Sequence, residues 1–174
     1  MNKFDDELSL ISSDEVRKVT STLVGQIPDY FWTVPASSSG KYHPEFAQGD
    51  GGLLRHTKAT VKFAADLFVI FNYSKEEQDY IISALILHDS YKYGPTNEGH
   101  TKFEHPKLAA EFIRKNAPKW YSDRVAPLVE THMGQWTTSK YSDEVLKKPE
   151  TNAQRFVHLC DYLASRKGIE VQFS

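Results

Sequence analysis

Six side chains of metal-ligand type follow one another along the chain: His56, the adjacent pair His88-Asp89, His105, His132 and Asp161. Imidazole and carboxylate together form the ligand set of zinc, manganese, iron or nickel, whereas calcium and magnesium prefer oxygen alone. The adjacent pair closes an apolar run, residues 80–87, and a polar segment containing Gly94 and Gly99 follows it. An imidazole and a carboxylate at the end of a buried helix are costly unless they are paired or metal-bound. Each group alone has an ordinary structural reading. His56 could be a core or capping histidine, His105 could flank a helix start, and His132 could sit at a helix C-terminus where the dipole favours it. Asp161 falls mid-helix, a poor place for an unpaired aspartate. Together, in this order, the six point to a metal centre.

Six groups exceed what one tetrahedral site uses, so two ions are expected. The first takes His56, His88, Asp89 and Asp161; Asp89 bridges to a second held by His105 and His132. Two cations about 3.5–4 Å apart would bring a shared water towards neutral pKa and would neutralise phosphate oxygens as charge develops. Asp89 is thus a catalytic residue in this reading, with Lys92 three positions on and His43 upstream, the latter to meet a leaving oxygen or complete a metal shell. Lys41, His43, Arg55, Lys58 and Lys92 lie around these motifs in sequence and could contact phosphates, or some of them could be ordinary solvated charges. Gln135 and Trp136 follow His132 closely, placing an amide and an indole at the expected mouth of the site. Tyr42, Phe46, Tyr91 or Trp136 could stack on a base, worth about 1–3 kcal/mol per base. At 13% aromatic residues, however, many rings are needed for the core alone. His100 reads as a solvated loop residue. His158, one turn before Asp161 on the same face, reads as structural.

The elements that must position these groups are helices, because apolar residues recur at three- and four-residue spacing. Ser12 with Glu15 reads as a capping box opening a helix to about Val24. Residues 28–50 hold Pro28, Pro35 and Pro44 and a Ser-Ser-Ser-Gly run, and are expected to form a long functional loop. A helix over residues 52–71 follows, then one capped by Ser74 with Glu77 that ends near His88 or Asp89. Residues 91–104 read as a second loop. Pro106 suits the first position of a helix that runs to about Asn116, before Pro118. Ser122 is expected to cap a short helix reaching His132, kinked or shortened by Pro127. A last helix is expected over residues 150–166, closed by Gly168, and the alternating tail 169–173 could be a short strand. The expectation is an all-α bundle of six or seven helices. It forms one domain, 1–174, with the metal motifs at 56–161 and residues 1–51 covering the site.

Composition narrows the function classes. Forty per cent apolar and 25% charged residues suffice for one sizeable core. A net charge of −2 argues against a broad footprint for long nucleic acid. Cys160 is the only cysteine, so no internal disulfide or cysteine zinc knuckle is expected, and cytoplasmic residence is the natural reading. The start of the chain lacks a signal-peptide run, and no apolar stretch is long enough for a bilayer.

The segment from Gly51 through Leu53-Leu54-Arg55 to His56-Thr57, then Leu85-Ile86-Leu87-His88-Asp89 with Lys92, His105-Pro106, His132, and His158-Leu159-Cys160-Asp161 carry a family resemblance. In this ordered set the chain resembles the HD superfamily of metal-dependent phosphohydrolases over residues 56 to about 166. Upstream, residues 35–44 leading into Gly51-Gly52 are similar to the HD domains of YhaM-type 3′→5′ exoribonucleases and of related phage and mobile-element proteins. That branch implies dependence on a divalent transition metal, one or two ions. Manganese comes first, with nickel, cobalt, zinc, iron or magnesium as alternatives. It also implies phosphodiester hydrolysis. YhaM-type enzymes carry an OB-type domain for which this chain has no room, so the expected substrate is a nucleotide or short oligonucleotide. Tyr91 stands where the family's His-Asp-x-Gly-Lys pattern has glycine, so the loop is expected to take another path and to displace Lys92. Met133 stands where the family often repeats a histidine. A homo-oligomer is compatible with this reading and a membrane partner is not. Two other classes stay open: a diiron oxygenase resembling myo-inositol oxygenase, and a non-catalytic module that sequesters a nucleotide, against which the full ligand set argues.

Overall fold

The computed structural model describes residues 3–38, 40, 43–169 and 171. In chain order its elements are α1 (Asp5–Ser9), α2 (Asp14–Val24), two 3-10 turns (Asp29–Trp32 and Glu45–Ala47), α3 (Gly52–Leu67), α4 (Lys75–Leu87), α5 (His105–Asn116), α6 (Lys119–Glu130) and α7 (Asn152–Ala164). This is an all-α, single-domain bundle. Among the described residues the only β feature is a bridge between Ser139 and Ser142. The tail expected as a strand falls largely on residues 170 and 172–174, outside the described residues.

The bundle is built around α4. Residues 79–87 are all buried, as expected of a helix apolar on every side. It packs against α6, α3, α2 and α7, while α5 pairs with α6 and α3 with α7. Its start is set locally, by the capping box in which Ser74 accepts from the Glu77 amide and Glu77 accepts from the Ser74 amide. Its buried polar residues tie it to neighbours. Asp79 accepts from the amides of Ser12 and Ser13 at 2.7 and 2.9 Å, closing the N-terminus of α2 from a distant point in the chain. The Ser83 hydroxyl meets Thr20 at 2.9 Å, and Thr20 meets the Tyr121 hydroxyl at 2.8 Å.

Several boundaries differ from the sequence expectation, each for a reason visible in the structure. Ser13, not Ser12, caps α2: its hydroxyl accepts from the Val16 amide, while Asp79 holds the amides of both serines. The short α1 was not expected; it forms because Phe4 and Leu8 are buried, with Phe4 packed on Phe31 and Trp32. Helix α3 stops at Leu67, not near residue 71, as Phe68 and Phe71 turn to join Tyr73 around Phe156. Ser122 does not cap α6; the helix starts at Lys119 and absorbs Pro127 in its interior. The Pro127 carbonyl, in the last turn of the helix, accepts from Thr131 Oγ1 at 2.9 Å and from Gln154 Nε2 at 3.3 Å. Thr151 and Gln154 form a capping box that starts α7 two residues later than expected. Among the described residues no helix is long and apolar enough to cross a membrane.

Candidate metal centre

The six candidate ligands come from five helices and converge. His56 lies in the second turn of α3, His88 is the C-terminal cap of α4 with Asp89 just beyond it, and His105 opens α5. His132 lies in the turn after α6, and Asp161 is near the end of α7. His56, His88, Asp89 and His132 are fully buried and His105 is 1% exposed. Asp161 keeps 17% of its side chain exposed.

Distances divide the cluster around Asp89. Its Oδ2 lies 3.4 Å from His88 Nε2 and 3.8 Å from His56 Nε2. Asp161 Oδ1 completes that side, 3.0 Å from His56 Nε2 and 3.7 Å from His88 Nε2. The other oxygen, Asp89 Oδ1, lies 3.0 Å from His105 Nε2 and 3.6 Å from His132 Nε2. Despite these short distances Asp89 Oδ1 and His88 Nε2 have no hydrogen-bond partner.

The backbone fixes which nitrogen faces the centre. His88 Nδ1 donates to the Leu85 carbonyl at 2.7 Å, His105 Nδ1 to Lys102 at 2.6 Å and His132 Nδ1 to Val129 at 2.7 Å. In the neutral ring the remaining Nε2 then bears a lone pair. His105 and His132 bring two such nitrogens to 3.0 Å of each other. Two lone pairs cannot share that space without a cation or a proton between them. Bare, buried, convergent nitrogens beside two carboxylates fit a divalent transition metal. Among the described residues, His56, His88 and Asp161 form one group able to hold an ion, and His88, Asp89 and His132 form another.

The electrostatics of the metal-free cluster agree. Burial would raise the Asp89 carboxyl, but Lys92 and His88 outweigh it and hold it well below the usual carboxylate range. Asp161, only partly exposed, is held low by His56 and His88. Burial opposes charge on His88, yet the Asp89 and Asp161 carboxylates push it up to about 10. His105 goes the other way, lowered to about 4 by burial and by Lys92. Burial also lowers His132. The two carboxylates are thus held ionised in a water-poor pocket by the Lys92 ammonium and the His88 imidazolium, a neutralisation that a bound cation would take over from His88.

Lys92 stays at the site. Its Nζ is 2.8 Å from Asp89 Oδ2, and the residue is 8% exposed. The expected displacement does not occur, since Tyr91 takes an ordinary backbone conformation and lays its ring against Phe112. The loop is held by Tyr30, whose hydroxyl donates to Gly94 O and accepts from the Tyr93 amide. The Lys102 amide donates to Lys92 O, so the same loop delivers Lys92 and the carbonyl that orients His105.

His43 is also brought in. Its ring centre is 5.2 Å from that of His56, and its buried Nδ1 has no hydrogen-bond partner. Burial first, then His56 and Lys92, lower its pKa to about 3, so at neutral pH it is an uncharged imidazole. Gly52 makes this approach feasible: a Cβ there would lie 2.3 Å from the Ala47 carbonyl, so only glycine lets the Glu45–Ala47 turn sit on the start of α3.

Other candidates are placed differently. Arg55 donates to the carbonyls of Phe46 and Gln48 at 2.6 and 2.9 Å, and so braces the loop rather than facing the centre. Lys58 points to α1, where it pairs with Glu7 at 3.2 Å. Phe46 packs on the core. Gln135 meets His158 Nε2 at 3.0 Å, and Trp136 stacks on Tyr162 with ring centres 5.8 Å apart. Lys41 and Tyr42 lie outside the described residues. Two groups were not anticipated, and His158, read as structural, gains a definite role. The buried Thr57 and Ser90 hydroxyls, each adjacent to a candidate ligand, have no hydrogen-bond partner. His158 Nδ1 donates to the His132 carbonyl at 2.7 Å, fixing the turn that carries His132. Its position one turn before Asp161 was the sequence signal.

No curated protein and no solved structure matches the chain. The family model described as the HD domain matches residues 53–166, which takes in all six candidate ligands. HD domains bind divalent metals and are generally hydrolases. With that match covering well over half of its length, this chain belongs to the HD-domain family.

Proposed function

We propose that the protein is a metal-dependent phosphohydrolase that cleaves phosphoester bonds of nucleotides or short oligonucleotides in the cytoplasm. The observation that carries this reading is the division of Asp89, with one oxygen facing His56 and His88 and the other facing His105 and His132. His56, His88 and Asp161 with Asp89 Oδ2 would hold one ion; His105 and His132 with Asp89 Oδ1 would hold a second. When bound, a divalent cation of the manganese type supplies Lewis acidity, making water acidic near neutral pH and offsetting phosphate charge.

The chain's own residues do the rest. The Leu85, Lys102 and Val129 carbonyls keep three imidazoles aimed at the centre, so no reorganisation is needed at reaction. Lys92, anchored on Asp89, offers its ammonium to a phosphate oxygen. His43, neutral at physiological pH, presents an N–H to the leaving oxygen or a nitrogen to the metal shell. Gln135 and Trp136, with Lys41 and Tyr42, are proposed to contact the substrate.

The test is hydrolysis of bis-p-nitrophenyl phosphate and of short oligonucleotides by metal-stripped protein reloaded with manganese, with and without dioxygen. The reading expects turnover that requires metal and ignores dioxygen. Turnover only with iron and dioxygen would replace it with an oxygenase, and nucleotide binding without turnover would replace it with a sequestering module.

A further inference from the structure

Beside the metal centre, on the outer side of α7, lies a groove of about 610 Å³, within the size range of small-ligand sites. Its walls include Gln135, Lys148, Arg155, His158, Leu159 and Tyr162, and none of the six candidate metal ligands. It adjoins the centre through one covalent neighbour, one short turn and one hydrogen bond. Tyr162 follows Asp161, Gln135 follows the His132 turn, and His158 Nδ1 donates to the His132 carbonyl at 2.7 Å.

The chemistry of the groove is that of a nucleotide. Its lining is mostly apolar, with Leu159, Pro149 and Tyr162 as the floor. The Tyr162 ring is fixed from outside, stacked on Trp136 and covered by the Arg166 guanidinium at 4.3 Å. Two cations stand at its edge. Lys148 and Arg155 line the groove and make no ion pair among the described residues, whereas Lys147 and Arg114 nearby are both spent on Glu130. Arg155 reaches only the Asn152 amide oxygen, at 3.5 Å. Unneutralised cations over an apolar floor complement a ligand that joins a phosphate to a flat base. An acid-rich or purely apolar partner would match only half of that.

We propose that this groove holds a nucleotide flanking the scissile phosphate, so that the preferred substrate class is an oligonucleotide of at least two residues rather than a mononucleotide. The flanking phosphate pairs with Lys148 and Arg155, the base lies on Leu159 and Pro149 against the edge of Tyr162, and Gln135 with His158 forms the side of the groove next to the His132 turn. This rests on the phosphohydrolase reading above.

The test compares manganese-loaded wild type with the double variant Lys148→Ala/Arg155→Ala, and with Lys148→Arg/Arg155→Lys as the charge-conserving control. Binding of a fluorescein-labelled, phosphorothioate-linked tetrathymidylate is read by anisotropy at several salt concentrations. The alanine variant should bind at least about tenfold more weakly, with a salt slope lower by about 0.7 for each cation removed. The control should restore most of the affinity. Hydrolysis of bis-p-nitrophenyl phosphate, which has no flanking nucleotide, should be unchanged. Equal affinity of wild type and alanine variant for the tetranucleotide, or no affinity in either, overturns the groove proposal. Failure of the wild type to hydrolyse the small diester overturns the phosphohydrolase reading by itself, and the binding arm still decides the groove.

Discussion

At the scale of single residues, the ligand set was legible because the cluster is made of types that few other environments tolerate. A buried His-Asp pair at the end of α4 and an aspartate inside α7 have no inexpensive structural use. What could not be read was direction. Arg55 and Lys58 sit beside His56 in sequence, but one residue along a helix rotates the side chain by about 100°. They therefore reach the Phe46 carbonyl and Glu7 instead of the centre. Lys148 and Arg155 meet across a loop, and no spacing rule joins them. Loss of an outer partner of a metal ligand costs about 10–100-fold in affinity or activity, and loss of a ligand shared by two ions should cost more. Asp89→Ala should therefore abolish measurable hydrolysis and lower metal content, read by elemental analysis alongside turnover. His132→Ala should retain about one metal equivalent per chain and lose most activity, since Asp89 Oδ2, His56, His88 and Asp161 remain. Wild-type turnover in that variant would reduce the centre to a single working ion.

At the scale of elements, some boundaries set by neighbouring residues were readable, though the Thr151–Gln154 box of α7 was passed over, and those set at a distance were not. Ser74 with Glu77 announced α4 correctly because both halves of the cap lie within one turn. The start of α2 depends on Asp79, more than sixty residues away, and the sequence around Ser12 carries no trace of it. Asp79→Ala should cost about 1.5–3 kcal/mol in denaturant unfolding, as it orphans two amides held by a charged acceptor. Gly52→Ala should destabilise by about 1–3 kcal/mol, because its Cβ meets the Ala47 backbone and not a movable side chain. The α2–α4–α6 contact also carries a pH signature. Burial pushes the Tyr121 hydroxyl up to about 12, above its ordinary value of 10.0. A raised folded-state pKa gives stability that is complete below pH 10 and lost as pH rises towards 12. Tyr121→Phe should lessen that alkaline dependence in a pH series of thermal melts without abolishing it, because burial pushes Tyr30 up to about 12 as well; an unchanged profile would mean that Tyr30 and the other buried tyrosines control it.

At the scale of the whole molecule, five helices end or turn at one buried point, and two carboxylates are held ionised there. The fold therefore holds two carboxylates against converging imidazoles where its core is driest, and a cation that binds only the folded chain should stabilise it. At a hundredfold excess over its dissociation constant an ion adds about 2.7 kcal/mol, or roughly 5–10 °C in Tm for a chain of this size. Manganese should raise the melting temperature and a chelator should lower it by that order. The claim that joins fold to function is that Asp89 bridges two ions, and diffraction from manganese-loaded crystals at the manganese absorption edge addresses it directly. The account predicts two anomalous peaks about 3.5–4 Å apart on either side of the Asp89 carboxylate. One should lie among His56, His88 and Asp161, and the other should lie against His105 and His132. A single peak, or manganese bound away from Asp89, would contradict it.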